Sequence, residues 1–371
     1  MINKKILIGC FEIPGWGGAS TSAYDLFAKM LNDGYNVSFI NLISDHDKKL
    51  FKKLFNGSLG NPKRLLNVYN YFLSSPQYDL QSELVTLIED ISPDVILAIG
   101  WIAALIMKKA SSKRKLIYLT SGSDQVKSYI QCKKLDNFLY LEKYMKKNSH
   151  RLKTLSKQEK EAVILSDFVI THSDMIHSVY EYFYPYSTGK IYLDVVWFAE
   201  WIYKEASNYS HLSKNFSERE IDIVFIASDW TRPEKNYELI KKLVSALENI
   251  NIHIVGQTNE NIPGVIYDGV ITDREKLFKI LGNSKTIVCP SIFDAAPGIL
   301  FEASALGCNI ITSKNCGNWQ ICNNSLLADP YTLKIFKDKI ILSLQQKFPD
   351  NIDFFLKTNS YKNLVETVEL F

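Results

Sequence analysis

The chain has 371 residues, which at roughly 150 per domain makes two or three domains, and its 46% hydrophobic and 22% charged residues exclude a disordered or fibrous protein. Lys plus Arg is 43 against 40 for Asp plus Glu, so the net charge of +3 is too even for a protein that neutralises many phosphates, which argues against nucleic acid as the main partner. Six cysteines, at 10, 132, 289, 308, 316 and 322, show no CxxC pairing and read as free, mostly buried thiols in a reducing cytoplasm.

Short apolar runs alternate with longer amphipathic ones, the pattern of βα units on a mostly parallel sheet. The first run, 6–11, ends at Glu12 and is too short for a signal-peptide core. A first series of strands is predicted at 5–10, 37–42, 95–99, 115–119, 168–171 and 190–196. The longest apolar stretch, 95–107, falls short of the ~20 residues that span a bilayer and is broken at Gly100 and Trp101, so it reads as a strand entering a helix. A polar stretch at 206–220 follows, and a second series of strands is predicted at 221–227, 252–255, 286–289 and 309–312. After Pro330 the pattern is helical. The division expected is 1–205, 206–345 and a helical segment, 346–371, that returns to the first domain. Two doubly wound α/β domains in tandem direct the carboxyl ends of their strands at a shared cleft, the expected site of ligands.

Two segments of the second half carry the chemistry. In 288–307 a strand ends at Cys289 and Pro290, and Pro297 and Gly298 open a helix that closes near Gly307. Its first amides would face the cleft and favour a diphosphate. Asp294 and Glu302, eight positions apart, can accept hydrogen bonds from sugar or ribose hydroxyls. Alternatively, Asp294 caps the helix and Glu302 lies on a solvated face. In 221–239, Arg232 and Lys235 follow a strand end, where two cations could hold a departing diphosphate; a solvated loop is the other reading. In the first half, Gly15, Trp16, Gly17 and Gly18 follow the first strand, either as an ordinary tight turn or as a place where backbone approaches a ligand without a Cβ.

Together these segments resemble the retaining glycosyltransferases of family 4, which have the two-domain GT-B fold and use nucleotide-sugar donors. That family carries two Glu separated by seven residues, matched here by Asp294 and Glu302, and a basic pair after the first strand of the second domain, matched by Arg232 and Lys235 in RPEKN. The likeness extends through IHIVGQ, VIYDGVITDREKLFKIL, GYNVSFI and SDFVITHSDMI, and is denser in 221–320 than before 200. It implies two Rossmann-like domains facing across a cleft, with a nucleoside diphosphate sugar as donor substrate and no further cofactor or metal. It also implies that Glu302 binds the donor ribose and Asp294 a sugar hydroxyl, that the backbone near Pro297, Gly298 and Ile299 holds sugar and diphosphate, that Arg232 and Lys235 stabilise the leaving phosphate, and that Gly17 and Gly18 admit the diphosphate from the opposite wall. The acceptor would be a hydroxyl of a glycan, a lipid-linked sugar or a protein. A non-catalytic GT-B subunit, or a GT-B nucleotide-sugar epimerase or hydrolase, is the alternative.

The chain departs from that family in three places. The first acidic position is Asp, one methylene short; the basic pair is three residues apart where the family has five; and the first-domain histidine has no counterpart in YLTSGSD, where Ser121 stands, leaving His172 as the nearest cleft candidate. Asp45, His46 and Asp47 spell a DxD, the metal-holding motif of the other major glycosyltransferase fold, or a charged loop after a strand. Basic stretches with interleaved aromatics at 47–55 and 127–160 are amphipathic surfaces, solvated or peripheral to an anionic membrane on its cytoplasmic face.

Overall fold

In the computed structural model, residues 4–11, 18–44, 68–73, 82–122, 155, 157–194, 196–358 and 360–371 are described. Gly17, the DxD at 45–47, the basic stretch at 47–55 and most of 127–160 lie outside them.

Strand β1 (Lys5–Phe11) is apolar without alternation and buried from Ile6 to Cys10, the pattern of a strand covered on both faces. Helix α1 (Gly18–Asn32) turns Ala23, Leu26, Phe27 and Met30 inward at helical spacing. The chain continues through β2 (Asn36–Ser44), β3 (Val68–Leu73), α2 (Ser82–Ile91), β4 (Val95–Ile99), α3 (Trp101–Ala110), β5 (Lys115–Leu119), β6 (Phe168–Thr171), α4 (Asp174–Phe183) and β7 (Ile191–Leu193). These strands form a seven-stranded sheet in the order β3-β2-β1-β4-β5-β6-β7, and every pairing in it is parallel. Helix α5 (Ala199–Ser207) leads to the second sheet, whose elements are β8 (Ile221–Asp229), α6 (Tyr237–Ala246), β9 (Ile252–Gln257), β10 (Ile266–Gly269), α7 (Arg274–Gly282), β11 (Ser284–Val288), α8 (Ile299–Ala305) and β12 (Asn309–Ile311). It has five strands in the order β10-β9-β8-β11-β12, also all parallel. The strand order reverses between β1 and β4 in one sheet and between β8 and β11 in the other, and ligands of such sheets bind outside the strand ends at those points.

Two edge strands, β3 and β10, are additions to the predicted set. Strand β10 reads IYDG, stands half in solvent and shifts register between Tyr267 and Gly269, so it lacks the apolar run that marks the inner strands. The predicted strand at 190–196 is shorter: Lys190 ends a 3₁₀ turn (Pro185–Lys190), and past Leu193 the amide of Asp194 reaches Thr171 O at 2.9 Å before the chain turns into α5.

After α9 (Leu333–Gln345), helix α10 (Ile352–Lys357) sets Phe355 against Phe301 with ring centroids 5.0 Å apart. Helix α11 (Ser360–Leu370) then meets the first domain: the Tyr361 hydroxyl donates to Asp33 Oδ2 at 2.7 Å, and Phe371 stands edge-on to Phe168 at 5.5 Å. No helix among the described residues is long and apolar enough to cross a membrane. The five described cysteines are buried and free.

The polar stretch 206–220 is strapped to the second domain by Arg219, which is 6% exposed. Its guanidinium donates to the carbonyls of Lys214 (3.1 Å), Ser284 (2.7 Å), Gly307 (2.9 Å) and Leu306 (2.7 Å). Gly307 has φ +72, and a Cβ there would meet the guanidinium at 3.0 Å. Arg219→Ala leaves several buried acceptors without a donor, at about 1–3 kcal/mol each before relaxation. A fall in melting temperature larger than that of the exposed control Lys362→Ala is expected in calorimetry.

Candidate functional site

At the switch point of the second sheet, the loop after β8 and the loop after β11 are tied together. Asn236 takes a left-handed conformation (φ 64°), which an asparagine tolerates better than most residues. Its Nδ2 donates to Pro290 O at 3.0 Å and Pro330 O at 2.9 Å, while Ile292 N donates to Glu234 O at 2.8 Å. Between these ties Lys235 Nζ donates to Asp294 Oδ2, the two side chains being only 14% and 15% exposed. Burial works against the lysine's charge, and Asp294 more than offsets it, so the ammonium is held above its ordinary pKa. Asp294 is fixed from behind as well: its amide donates to Asn315 O at 3.2 Å, Gly317 N donates to its carbonyl at 3.0 Å, and it forms a parallel bridge with Cys316. Asp294 is therefore no helix cap. Gly298 occupies the cap position of α8.

Arg232 stands beside this pair but turns onto Glu234 Oε1, through Nε at 3.0 Å and NH2 at 2.7 Å. The position five before Lys235 is Trp230, 4% exposed, whose indole donates to Val255 O at 2.9 Å, so the buried cation of this turn is Lys235. From Asp294 to Ile299 every residue is half-buried, whereas Ser291 to Phe293 and Leu300 to Ser304 are buried, which makes 294–299 the accessible strip. Within it, a Cβ on Gly298 would come within 3.2 Å of Ile202 Cδ1, so α5 packs close to the start of α8.

Glu302 is buried too, its side chain 8% exposed, and Oε1 accepts from Arg274 NH1 at 2.7 Å. It is not on a solvated face. Arg274 also grips Glu205 of α5, through Nε at 3.3 Å and NH2 at 3.1 Å. Burial raises the Glu302 carboxyl above its ordinary pKa while Arg274 opposes the rise. On the first-domain helix α1, Asp25 is pushed up to about 6, by burial first and then by the charge of Glu205, with Arg274 acting against it. Glu205 and Asp25 carried no motif in the sequence, and Arg274 lay within the likeness VIYDGVITDREKLFKIL without a role; the further signal was the scarcity of arginine, six in the chain, which made each more informative.

First-domain candidates are more dispersed. Gly18 opens α1, and a Cβ there would meet nothing within 4 Å. Ser121 follows β5, its Oγ 3.0 Å from where a Cβ on Gly100 would lie; Gly100 has φ +84 and precedes α3. His172 is buried at the end of β6, and its Nε2 accepts from Trp197 Nε1 at 3.1 Å. The next residue, Ser173, caps α4 by accepting from Ile176 N at 3.4 Å.

The two halves meet where the loop after β11 enters the first domain. Ile292 and Phe293, 1% and 3% exposed, join the apolar cluster that holds Leu7, Tyr118 and Ile176. Gly317 lies under this contact, where a Cβ would fall 1.6 Å from Ala295 O and 2.9 Å from Ser173 Cβ. Trp319 Nε1 donates to Asp174 Oδ2 at 3.3 Å.

Two parallel sheets whose switch points face each other across such a junction have close counterparts among solved structures. The fold is GT-B. Sucrose-phosphate synthase from Thermosynechococcus elongatus matches 96% of this chain with 92% of its own at a TM-score of 0.63 and 14% identity. The Anabaena protein HepE, solved with UDP and glucose, matches over 100% of both chains at 0.65 and 13% identity. A UDP-GlcNAc 2-epimerase from Methanocaldococcus jannaschii matches over 99% of this chain and 100% of its own at 0.55 and 12% identity. No protein-family model matches the sequence, and no curated protein matches it.

Asp25 binds more protons in the folded chain than in the unfolded one between its ordinary value near 4 and about 6, so its contribution to stability falls as pH rises through that window. Asp25→Asn is expected to raise the melting temperature above pH 7 and to leave it nearly unchanged at pH 4. Calorimetric melting of both chains across that range is the check.

Proposed function

We propose that this chain transfers a sugar from a nucleoside diphosphate donor to an acceptor hydroxyl with retention of configuration. The observation that carries the proposal is the pairing of Lys235 with Asp294 at the switch point of the second sheet. A buried cation and a carboxylate fixed in contact offer complementary partners to a ligand that is anionic at one end and a polyol at the other. The nucleotide-sugar ligand named for HepE has that make-up, and its fold is the fold of this chain. In this reading Lys235 passes from Asp294 to the departing diphosphate, and Asp294 exchanges the ammonium for a sugar hydroxyl. Arg232, 43% exposed, adds a second positive charge at the mouth of the turn. Backbone of 297–299 borders the sugar, and Glu302 receives the ribose hydroxyls. Gly17 and Gly18 give the diphosphate a wall without side chains.

No protein side chain is assigned as nucleophile. The acceptor hydroxyl attacks the anomeric carbon on the face that the diphosphate leaves, the carbon–oxygen bond to phosphate breaks, and a phosphate oxygen takes the acceptor's proton. The protein's share is positioning and charge stabilisation, worth roughly several kcal/mol for a well-placed donor group. The epimerase among the structural counterparts makes the acceptor-free reaction the rival reading.

A thermal-shift screen of nucleoside diphosphates and their sugars identifies the donor, and incubation with and without acceptor, read by NMR of the anomeric proton, separates retained transfer from epimerisation or hydrolysis. Lys235→Ala should lower turnover by about 10²- to 10³-fold. Glu302→Ala should weaken nucleotide affinity in calorimetry. An inverted product, or unaltered turnover in Lys235→Ala, would overturn the assignment.

A further inference from the structure

Among the described residues, Arg274 is the one guanidinium that touches both a carboxylate of the donor-side helix and a carboxylate of the helix joining the two halves. It lies at the first turn of α7, where Asp273 caps the helix by accepting from Glu275 N and Lys276 N. Its NH1 donates to Glu302 Oε1 at 2.7 Å, its Nε and NH2 to the two oxygens of Glu205 at 3.3 and 3.1 Å, and its carbon Cζ stands 4.6 Å from the Phe278 ring centroid. The side chain is 40% exposed, so it is the Glu302 end of the bridge, where the carboxylate is only 8% exposed, that is held away from water.

We infer that Arg274 is a positioning residue for Glu302, holding one carboxylate oxygen so that the other accepts the vicinal hydroxyls of a nucleoside diphosphate's ribose. The inference rests on the reading of Glu302 as the ribose ligand. Its physical basis is the placement of a carboxyl in a buried site: burial favours the neutral acid, which accepts hydrogen bonds poorly and brings a donor of its own. The guanidinium opposes that protonation and fixes the carboxylate plane at the same time. A lysine could supply the charge but not the fork that grips Glu205 while holding Glu302. The other charged groups around the pair are Glu205 on α5, which adds to the rise of the Glu302 carboxyl, and Asp25 on α1, whose own carboxyl feels the charges of Glu205 and Arg274. The bridge therefore ties Glu302 to the joining helix.

The test is calorimetry of the full chain with UDP, GDP and ADP from pH 5.5 to 8.5. The nucleotide's own phosphate titration is common to all variants, so differences between profiles report the protein. Arg274→Ala should weaken binding of the preferred nucleotide at least tenfold at pH 7, with the loss narrowing toward pH 8.5, because the acid limb moves upward. Arg274→Gln should behave in the same way and carries the measurement if the alanine variant does not fold. Arg274→Lys should restore the position of the limb but only part of the affinity. Asp25→Asn should leave the limb where it is, which separates it from the titration of Asp25. Binding by both Arg274→Ala and Arg274→Gln with the affinity and pH profile of the unmodified chain, while Glu302→Gln weakens it, would overturn the inference and leave the ribose assignment standing. Unaltered binding by Glu302→Gln, or no binding of any of the three by the unmodified chain, would remove that assignment and the inference with it.

Discussion

The ion pair between Lys235 and Asp294 constrains the candidate site more than any other contact. Withdrawing an ammonium and a carboxylate from water costs about several kcal/mol per ion, and mutual attraction repays it only where geometry is held by other bonds. Those bonds end on backbone carbonyls. Asn236 clasps Pro290 O and Pro330 O, Ile292 N reaches Glu234 O, and the Cys316 bridge fixes Asp294 from the other side. Such a pair is poor evidence for stability, since two apolar residues could fill the same space. Under the proposed function both charges have a further use, the ammonium for the anionic end of the donor and the carboxylate for its hydroxyls.

The same loop that carries Asp294 is the one that enters the first domain. Ile292 and Phe293 are buried there, and the close approach at Gly317 leaves no room for a methyl group. Any movement of one half against the other must therefore pass strain to Asp294 within two residues. On the far side of the cleft the contacts are of another kind. Arg274 and Glu205 meet through long, partly exposed polar side chains, which can exchange partners at little cost, and their charges reach Asp25 of the first domain.

The inner strands were legible in the sequence because burial on both faces leaves an unbroken apolar run, as in VILAI of β4. The edge strands β3 and β10 were not, since an edge needs apolar residues on one side at most and β10 has a glycine and an aspartate in its four positions. At the site, the spacing of Asp294 and Glu302 and the placement of Lys235 after β8 could be read because they lie on loops whose course follows from the strand–helix rhythm. That Glu302 is buried and Asp294 is no cap could not be read, because both facts depend on partners far along the chain. Arg274 lies 28 residues before Glu302 and 69 after Glu205, and no periodicity connects them. His172, a cleft candidate in the sequence, has its Nε2 accepting the Trp197 indole hydrogen, a partner 25 residues on that no spacing pointed to.

The departures from the family pattern become coherent once charge is counted locally. Trp230 fills a buried place where a second cation would stand, and Arg232 is occupied by Glu234. Lys235 and Arg232 thus face Asp294, Glu234 and Asp229, and the turn carries one net negative charge. A shorter first acid suits this balance, because Asp294 already meets Lys235 with its backbone pinned at Cys316, and an added methylene would have to fold back or push the ammonium away. Such a turn does not attract a diphosphate at long range and under the proposed function favours it only at contact, when hydroxyls replace the ammonium on Asp294. Under the proposed function, recognition must then come largely from the polyol parts of the donor, which is where the burial of Glu302 and the grip of Arg274 acquire their weight.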